Sequence, residues 1–473
     1  MVAGATAAGR ASGRSGNKGS GPGQVRLLHG TCTTGPDPGS VYHPAMSKHE
    51  ITELAGGERV ISERLPGVRS VALGFWIGAG SRDEPEARAG VSHFIEHLLF
   101  KGSPRYSALE IAEIFDGLGG ELNAATSRET TVVYVRIPDN RLELALDVMA
   151  EMVFRPSFRD VDSEREVVLE EIAMVEDTPH DLVHDLTAEA VFGGHPLGRP
   201  VIGRADVISS VSRRALAAYH GRAYAGRHVV LAAAGNVRHD RLVGMLESRR
   251  NGAADGAAPL ARKPLRRLPP AGLRFQEKET EQYHVCLGGP GIPRTDDRRF
   301  TASILDAIAG GSASSRLFQE IREKRGLAYS VYSYSSHYSD SGQVGLYVGT
   351  RGENLATCLE LAVWELGDLA AGNVRPDELE RAKENLKGRL LLSLESTSSR
   401  MTRLGKATVT DTPLLSVEEI VERLESVSAE DVATLAGDLL EPSRLSAAGI
   451  GPDEGRFRDA VERVNPELLS RAA

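Results

Sequence analysis

The sequence predicts an α+β fold built from two homologous domains in tandem. Strand-like and helix-like segments alternate in both halves of the chain, and two features of the first half recur in the second. Between the halves, residues 251–273 contain much Gly, Ala, Pro and Arg with little periodicity, which is typical of an interdomain linker. We therefore predict domains at residues 49–250 and 274–473.

Hydrophobic periodicity and turn residues define the elements of the first domain. Residues 107–118 predict a helix that begins with Ser107 as its N-cap and ends at Gly119-Gly120. Two further helices are predicted at 142–153, where apolar residues recur with helical spacing, and at 162–175. Three β-prone apolar runs predict strands at residues 71–77, 130–137 and 229–234.

Two local patterns mark the repeat. A Ser-Val-Ser tripeptide before a helix ends at Ser212 and again at Ser428, 216 residues later. A strand ending in Ala-Ala-Gly closes at Gly235 and again at Gly449, 214 residues later. Because both halves also run strand, helix, Gly-Gly, strand and long helices, we interpret them as two copies of one domain.

The first 48 residues differ in composition from the rest. They are rich in Gly, Ser, Ala and Pro, and they hold five basic residues against Asp37 as the one acid. We predict a disordered basic tail without the apolar core of a secretory signal. There are two alternatives. The segment could be an organellar transit peptide, or translation could start at Met46 instead.

The overall composition excludes some classes of protein. With 56 basic and 65 acidic residues the net charge is −9, which disfavours nucleic-acid binding. No apolar run is long enough to span a membrane. Cys32, Cys286 and Cys358 are widely spaced and form no disulfide framework, which fits a reducing compartment. Together with the Ala, Gly and Arg content, this favours a bacterial cytoplasmic protein.

The stretch His93-Phe94-Ile95-Glu96-His97 carries the strongest chemical signal. Residues four apart share a helical face, so both imidazoles can reach one metal ion while Glu96 faces a water molecule. Two His, a carboxylate from elsewhere and an open position make a catalytic zinc site, and an adjacent Glu makes it hydrolytic. The alternative is that both histidines are surface or core residues that bind no metal. However, the helix is apolar, and burying two His and a Glu without partners would be costly.

The third metal ligand must come from elsewhere, and the segment 163–171 offers candidates. Glu164 and Glu171 are seven residues apart and share a helical face with Val168 and Val175. Carboxylates on an otherwise apolar face are unusual unless they have partners. The spacing leaves open a solvated acidic face with local ion pairs.

These motifs resemble the pitrilysin/insulinase family of metallopeptidases, whose reversed zincin motif is H-x-x-E-H. The resemblance covers nearly everything from about residue 50 to 470 and is closest to the branch of the mitochondrial processing peptidase β subunit and its bacterial relatives. Besides the motif, it rests on Phe100-Lys101-Gly102, residues 122–129, the 164–171 segment, His195-Pro196-Leu197-Gly198, Gly310-Gly311, residues 315–318 and residues 322–329.

The resemblance implies a ligand set and a fold. Zinc would be held by His93, His97 and Glu171, with Glu164 orienting a ligand from behind and Glu170 as the nearest competitor for the third position. Glu96 would be the general base. Since the second half lacks the motif, one Zn²⁺ per chain is implied. Each domain would be a mostly antiparallel sheet packed with helices, and the chain would be half of a clamshell.

The resemblance also implies how substrate is held. Residues 122–127 would be an edge strand that pairs with an extended peptide, with Asn123 and Ala124 contacting it near the scissile bond. Arg322 would hold a substrate carbonyl and Tyr329 would donate a hydrogen bond to the oxyanion. Each assignment has a plainer alternative. Residues 122–127 could be an ordinary strand after a Gly-Gly turn. Arg322 could be one charge at a basic helix end, and Tyr329 could be a core residue of a strand.

Function and assembly follow as expectations. The chain is expected to be a zinc-dependent endopeptidase acting on extended, unfolded peptides or precursor segments, without a defined physiological substrate. Four such domains close one chamber in the family, so two chains should associate as a homodimer, with Arg322 and Tyr329 completing the partner's site; a related second chain is the other option. A non-catalytic or heterodimer-dependent peptide-binding subunit is the alternative function.

Overall fold

Two β-sheets, one in each half of the chain, form the frame of the structure. The computed structural model describes residues 49–250, 260 and 262–472, so the predicted tail at 1–48 and residues 251–259 and 261 of the predicted linker lie outside the described residues. The strands of the first sheet are β1 (His49–Glu53), β2 (Arg59–Arg64), β3 (Ser70–Ile77), β4 (Asn123–Thr126), β5 (Thr131–Pro138) and β6 (Val229–Gly235). Those of the second are β7 (Leu273–Glu277), β8 (Tyr283–Gly291), β9 (Ala328–His337), β10 (Gly342–Thr350) and β11 (Ser446–Gly451).

The two sheets have the same topology. The first has the order β1-β2-β6-β3-β5-β4 and the second the order β7-β11-β8-β10-β9, so the second sheet equals the first without β1. The pairs β2–β6 and β7–β11 are parallel and the other pairs are antiparallel. Gly235 and Gly449 end or nearly end the matching strands β6 and β11. The predicted two-domain α+β fold is confirmed.

Sixteen α-helices are present in the described residues. Those of the first half are α1 (Val91–Leu99), α2 (Ala108–Leu118), α3 (Leu142–Phe154), α4 (Val161–Glu176), α5 (Pro179–Phe192), α6 (Ala205–Ser210), α7 (Arg213–Ala223) and α8 (His239–Arg249). Those of the second half are α9 (Arg299–Ala309), α10 (Leu355–Ala370), α11 (Pro376–Ser393), α12 (Thr397–Val409), α13 (Val417–Glu425), α14 (Ala429–Leu440), α15 (Glu454–Glu462) and α16 (Pro466–Ala472).

Local capping explains where several helices begin. The Ser107 side chain accepts a hydrogen bond from Glu110 N, and the Glu110 carboxylate accepts one from Ser107 N, which is a capping box. The helix ends at Gly119, whose φ of 64° is in the left-handed region that favours glycine. Ser212 and Ser428 are both N-caps, of α7 and α14. The Ser-Val-Ser repeat is therefore also matched by the structure.

Each half contributes one helix to the other half's sheet. The helix α5 packs on β8 and β11 of the second sheet, and α12 packs on β3 and β6 of the first. In the first sheet, Trp76 contacts Met401 and Leu404 of α12, and Trp76 Nε1 lies 3.3 Å from the Met401 sulfur. In the second, Val183 of α5 packs with residues of the sheet such as Cys286. The predicted boundaries thus separate the two sheets but not the helices that cover them.

A buried ionic cluster also joins the two halves. Arg82, with a fully buried side chain, contacts Glu129 at 2.7 Å and Asp340 of the second half at 2.7 Å. Its guanidinium also donates to the Lys263 carbonyl at 2.9 Å, and Arg262 forms a two-bond pair with Asp83. Leu265 N donates to the Asp340 carboxylate of the second half at 2.8 Å, so the described end of the predicted linker is anchored to both halves. In the described part of the chain, no helix is long and apolar enough to cross a membrane.

Candidate active site

The helix α1, which carries the H-x-x-E-H stretch, starts at an unusual cap. Gly90 has φ of 97°, and a Cβ at this position would lie 2.7 Å from the Gly203 Cα, so only glycine fits. The buried Glu84 carboxylate accepts hydrogen bonds from Gly90 N and Ser92 N, both at 2.7 Å. A remote carboxylate therefore satisfies two backbone donors at the N-terminus of α1 and complements the helix dipole.

The structure brings His93, His97 and Glu171 together. His93 Nε2 and His97 Nε2 are 3.3 Å apart. The Glu171 carboxylate of α4 lies 3.1 Å from His97 Nε2 and 3.7 Å from His93 Nε2. In the described residues these three side chains form the one group of three or more His, Cys, Asp or Glu side chains that could hold a metal ion. Glu170, the competing candidate, is exposed.

The donor set and spacing fit zinc. Zinc bonds to His nitrogen and carboxylate oxygen are about 2.0–2.2 Å, so tetrahedral ligand atoms lie about 3.3–3.6 Å apart. The separations of 3.1, 3.3 and 3.7 Å bracket that range. The Glu171 side chain is 34 % exposed, so the group is open to solvent on one side, as a catalytic site requires.

A second carboxylate stands behind His97. Glu164, two turns before Glu171 on α4, accepts a hydrogen bond from His97 Nδ1 at 2.9 Å and contacts Lys101 Nζ at 2.7 Å. This bond turns His97 Nε2 towards the metal position. His93 differs, because its Nδ1 is buried and has no hydrogen-bond partner among the described residues.

The carboxylates and burial act in opposite directions on the two imidazoles. Burial lowers the pKa of His97, but the hydrogen bonds to Glu164 and Glu171 outweigh burial and raise that pKa to about 9. Burial and the charge of His97 lower the pKa of His93 to about 4. A metal ion would therefore have to displace a proton from His97.

Glu96 faces the same region and is held by Thr126. The Thr126 hydroxyl, at the end of β4, donates a hydrogen bond to the Glu96 carboxylate. Thr131, the neighbour of Thr126 on β5, directs its own proton to the Ala79 carbonyl at 3.0 Å. Burial raises the pKa of Glu96, and the Thr126 hydrogen bond partly offsets this rise. Glu96 is thus a carboxylate with a raised pKa, and a hydrogen bond from Thr126 fixes one of its oxygens.

The predicted substrate strand lies at the rim of the sheet. The strand β4 is last in the sheet order and pairs with β5, so its other edge has no strand partner in the described residues. Asn123 is exposed, and its side chain accepts a hydrogen bond from Ala124 N at 2.8 Å. Ala124 is half-buried against the core. The predicted edge position is present, whereas contact of either residue with substrate stays a prediction.

Arg322 and Tyr329 contact each other rather than His93, His97 and Glu171. The Arg322 guanidinium stacks on the Tyr329 ring at 4.6 Å and on the Phe318 ring at 4.6 Å. Arg322 lies in a π-helical turn, Phe318–Glu323, and Tyr329 is 77 % exposed at the start of β9. Within the described residues neither side chain contacts His93, His97 or Glu171, and their role towards substrate stays a prediction.

Sequence reasoning missed three residues of the site. Thr126 and Lys101 lie in stretches that resemble the family, but no sequence pattern distinguishes them, because a strand threonine and a partly exposed lysine are ordinary residues. Glu84 precedes a proline, seven residues before α1 begins, and nothing local marks it as a cap. These contacts connect residues distant in sequence, so only the folded chain reveals them.

Comparison with known proteins decides the family. Residues 59–205 match the family model described as insulinase (peptidase family M16), and residues 210–386 match the peptidase M16 inactive domain. An uncharacterized zinc protease of Streptomyces coelicolor is 43 % identical over 422 residues, which are 87 % of this chain and 92 % of that protein. The chain belongs to the M16 peptidase family. His93, His97 and Glu171, the group that could hold a metal ion, lie in the region matched by the first model.

Other M16 relatives and structures agree with this assignment. An uncharacterized zinc protease of Bacillus subtilis is 42 % identical over 385 residues, covering 81 % of this chain and 93 % of that protein. A protease from Helicobacter pylori superposes with a TM-score of 0.80 at 21 % identity, covering 86 % of this chain and 100 % of that one. An M16 inactive-domain protein from Pseudomonas fluorescens has a TM-score of 0.80 at 23 % identity, covering 86 % and 98 %. The structures establish the fold, and the relatives' names point to a zinc-dependent metallopeptidase.

Proposed function

We propose that this chain is a zinc-dependent endopeptidase that hydrolyses peptide bonds in extended, unfolded peptides or precursor segments. One observation carries the proposal: His93, His97 and Glu171 converge at zinc-ligand distances. Beside them, Glu96 is held by the edge strand β4. One Zn²⁺ per chain is proposed, because the described residues of the second half contain no comparable group.

The chemistry divides between the ion and the chain. When bound, zinc supplies a Lewis acid and lowers the pKa of a coordinated water to about 7. Glu96 accepts the proton of the attacking water and passes it to the leaving amine as the peptide bond breaks. Glu164 keeps the His97 ring oriented, and Lys101 balances the charge of Glu164.

The free edge of β4 is proposed to bind the substrate backbone. An extended peptide can add to β4 through main-chain hydrogen bonds, with Asn123 and Ala124 near the scissile bond. Because this mode reads backbone rather than side chains, we expect broad specificity among unfolded segments. Folded proteins are poor substrates, since their strands are already paired.

Arg322 and Tyr329 are proposed to act across a homodimer. Their stacked, solvent-accessible arrangement leaves the guanidinium and the phenol available to a second chain. In the partner's site, Arg322 would hold a substrate carbonyl and Tyr329 would donate a hydrogen bond to the oxyanion. The bacterial relatives support a bacterial protein, for which we propose a cytoplasmic location.

The test is cleavage of a long, unstructured peptide. Zinc-loaded protein is incubated with a quenched fluorescent peptide, and the products are identified by mass spectrometry. We expect internal cleavage at several positions, loss of cleavage with a chelator, and recovery on adding Zn²⁺. Binding of the peptide without cleavage, with zinc present, would contradict the proposal and favour a peptide-binding subunit or a heterodimer that needs another chain.

A further inference from the structure

A second pair of histidines lies four residues apart on a helix, away from His93, His97 and Glu171. His180 and His184 lie one turn apart near the start of α5. Tyr332 of β9 is placed against both, with its hydroxyl 3.1 Å from His180 Nε2 and 2.8 Å from His184 Nε2. The two imidazoles therefore direct the same ring nitrogen to one point.

The other nitrogen of each ring has its own neighbour. His180 Nδ1 lies 3.3 Å from the Asp181 carboxylate, and His184 Nδ1 lies 3.9 Å from the Cys286 sulfur. A partner at Nδ1 orients the ring and leaves Nε2 as the metal-binding atom, as Glu164 does for His97. The pair thus repeats, at a second place, the orientation seen at the candidate zinc site.

The environment of His184 and of the Tyr332 hydroxyl supports metal binding at this point. Burial lowers the pKa of His184 to about 4, so its imidazole is neutral and can donate a lone pair at pH 7. Burial raises the pKa of Tyr332, so its hydroxyl keeps its one proton and can donate to only one of the two Nε2 atoms. A cation between the rings would accept a lone pair from both.

The histidine pair is exposed to solvent on the His180 side. The side chains of His180 and Asp181 are 45 % and 46 % exposed. Asp181 adds a negative charge beside the pair, which compensates part of the charge of a bound cation. Tyr347 stacks against His184 and contacts the edge of His180, which restricts both rings.

We propose that His180 and His184 form a second metal site, which takes a divalent transition ion that prefers imidazole nitrogen, such as Ni²⁺, Cu²⁺ or Zn²⁺. The two Nε2 atoms bind the ion and water completes its coordination. The Tyr332 hydroxyl moves aside and hydrogen-bonds one of those waters. The site does not depend on the proposed peptidase activity.

The test is the nickel content of zinc-loaded protein. Untagged protein that holds its zinc is dialysed against Ni²⁺, and both metals are measured in the same sample. We expect one nickel ion per chain with zinc retained. His180→Gln and His184→Gln should each lose this ion, with affinity reduced at least roughly tenfold because one of two imidazole ligands is gone.

His284→Gln is the matched control. His284 belongs to the same cluster, but its Nδ1 is 2.8 Å from the Tyr347 hydroxyl and does not point between the other two rings. This variant should keep the nickel, and thermal unfolding verifies that all three variants are folded. The proposal is overturned if wild-type protein binds no nickel, if nickel replaces zinc one for one, or if His180→Gln and His184→Gln bind like the wild type.

Discussion

Thr126 connects the proposed general base to the proposed substrate strand. A threonine hydroxyl has one proton, and here it goes to Glu96, because Glu96 is an acceptor and Thr131 already donates to Ala79. The bond fixes one carboxylate oxygen and leaves the other for a water molecule. Since threonine is stiff at χ1, the strand also sets the direction of the base.

Replacing this hydroxyl should slow the reaction without removing zinc. Thr126→Val keeps the shape of the side chain but cannot donate, so we expect kcat to fall roughly 10- to 100-fold with KM and zinc content unchanged. Thr126→Ser should restore most of the rate. Thr130→Val, in the same hairpin, is the control and should be near wild type. Equal rates for Thr126→Val and wild type would remove Thr126 from this role.

Glu171 rather than Glu170 is expected to hold the metal. The sequence left these two neighbours open, and the family resemblance favoured Glu171. The structure places Glu171 against both imidazoles and Glu170 in solvent. Helical spacing predicted that Glu164 and Glu171 share one face of α4. Which acid contacts the histidines depends on the crossing angle of α1 and α4, and this angle cannot be derived from the spacing.

Removing each acid separately tests this assignment. Glu171→Ala should lower zinc affinity at least roughly tenfold, because two imidazoles alone remain as protein ligands. Glu170→Ala should bind zinc like the wild type. Zinc content after dialysis against a competing chelator measures both, and the reverse result would move the third ligand by one position.

At the scale of helices and strands, the sequence predicted the bounds of the elements better than it predicted which elements pack together. The strand at 71–77 and the helices at 107–118 and 142–153 agree with the structure within one or two residues. The exchange of α5 and α12 between the sheets was not predicted. Periodicity shows that a helix has an apolar face, but it does not say which sheet that face covers.

β3 explains why the exchange is needed. Val71, Leu73 and Phe75 face the helices of the first half, while Ala72 and Trp76 face α12. A strand buried on both faces reads as a continuous apolar run, and one of its faces must be covered from elsewhere in the chain. Here the second half supplies that cover.

Truncating a buried side chain of α12 should therefore destabilise the first sheet. Leu404 is 1 % exposed and packs beside Trp76, so Leu404→Ala should lower the free energy of unfolding by about 2–5 kcal/mol. Leu392→Ala, whose side chain is 68 % exposed, is the control and should change it by less than about 0.5 kcal/mol. Urea unfolding followed by circular dichroism compares them, and equal stabilities would contradict the α12 contact.

At the scale of the whole molecule, the two halves are tied by more than their covering helices. The Arg82 cluster joins the loop after β3, the β4–β5 hairpin and the second half through Glu129 and Asp340. Such a buried network is costly unless every charge has partners, and here Arg82 has several. The two halves are thus tied together by buried ion pairs as well as by α5 and α12, and we propose that a second chain completes the site.

Two inactive variants should complement each other if the site is shared. Glu96→Gln lacks the base, and Arg322→Ala lacks the residue given to the partner. When the two are coexpressed, half of the dimers are mixed and each has one complete site, so we expect about a quarter of the wild-type rate. Each variant alone measures the background. No recovery in the mixed sample would contradict a site shared between chains.

We propose that a single zinc site with Glu96 as its general base cleaves peptides. The most direct measurement compares wild-type protein with Glu96→Gln, recording zinc content and cleavage of the same unstructured peptide. We expect equal zinc and a rate at least roughly a hundredfold lower in Glu96→Gln, because the residue that accepts the water's proton is lost while the ligands remain. Equal cleavage by both proteins, or no cleavage by zinc-loaded wild type, would contradict the account.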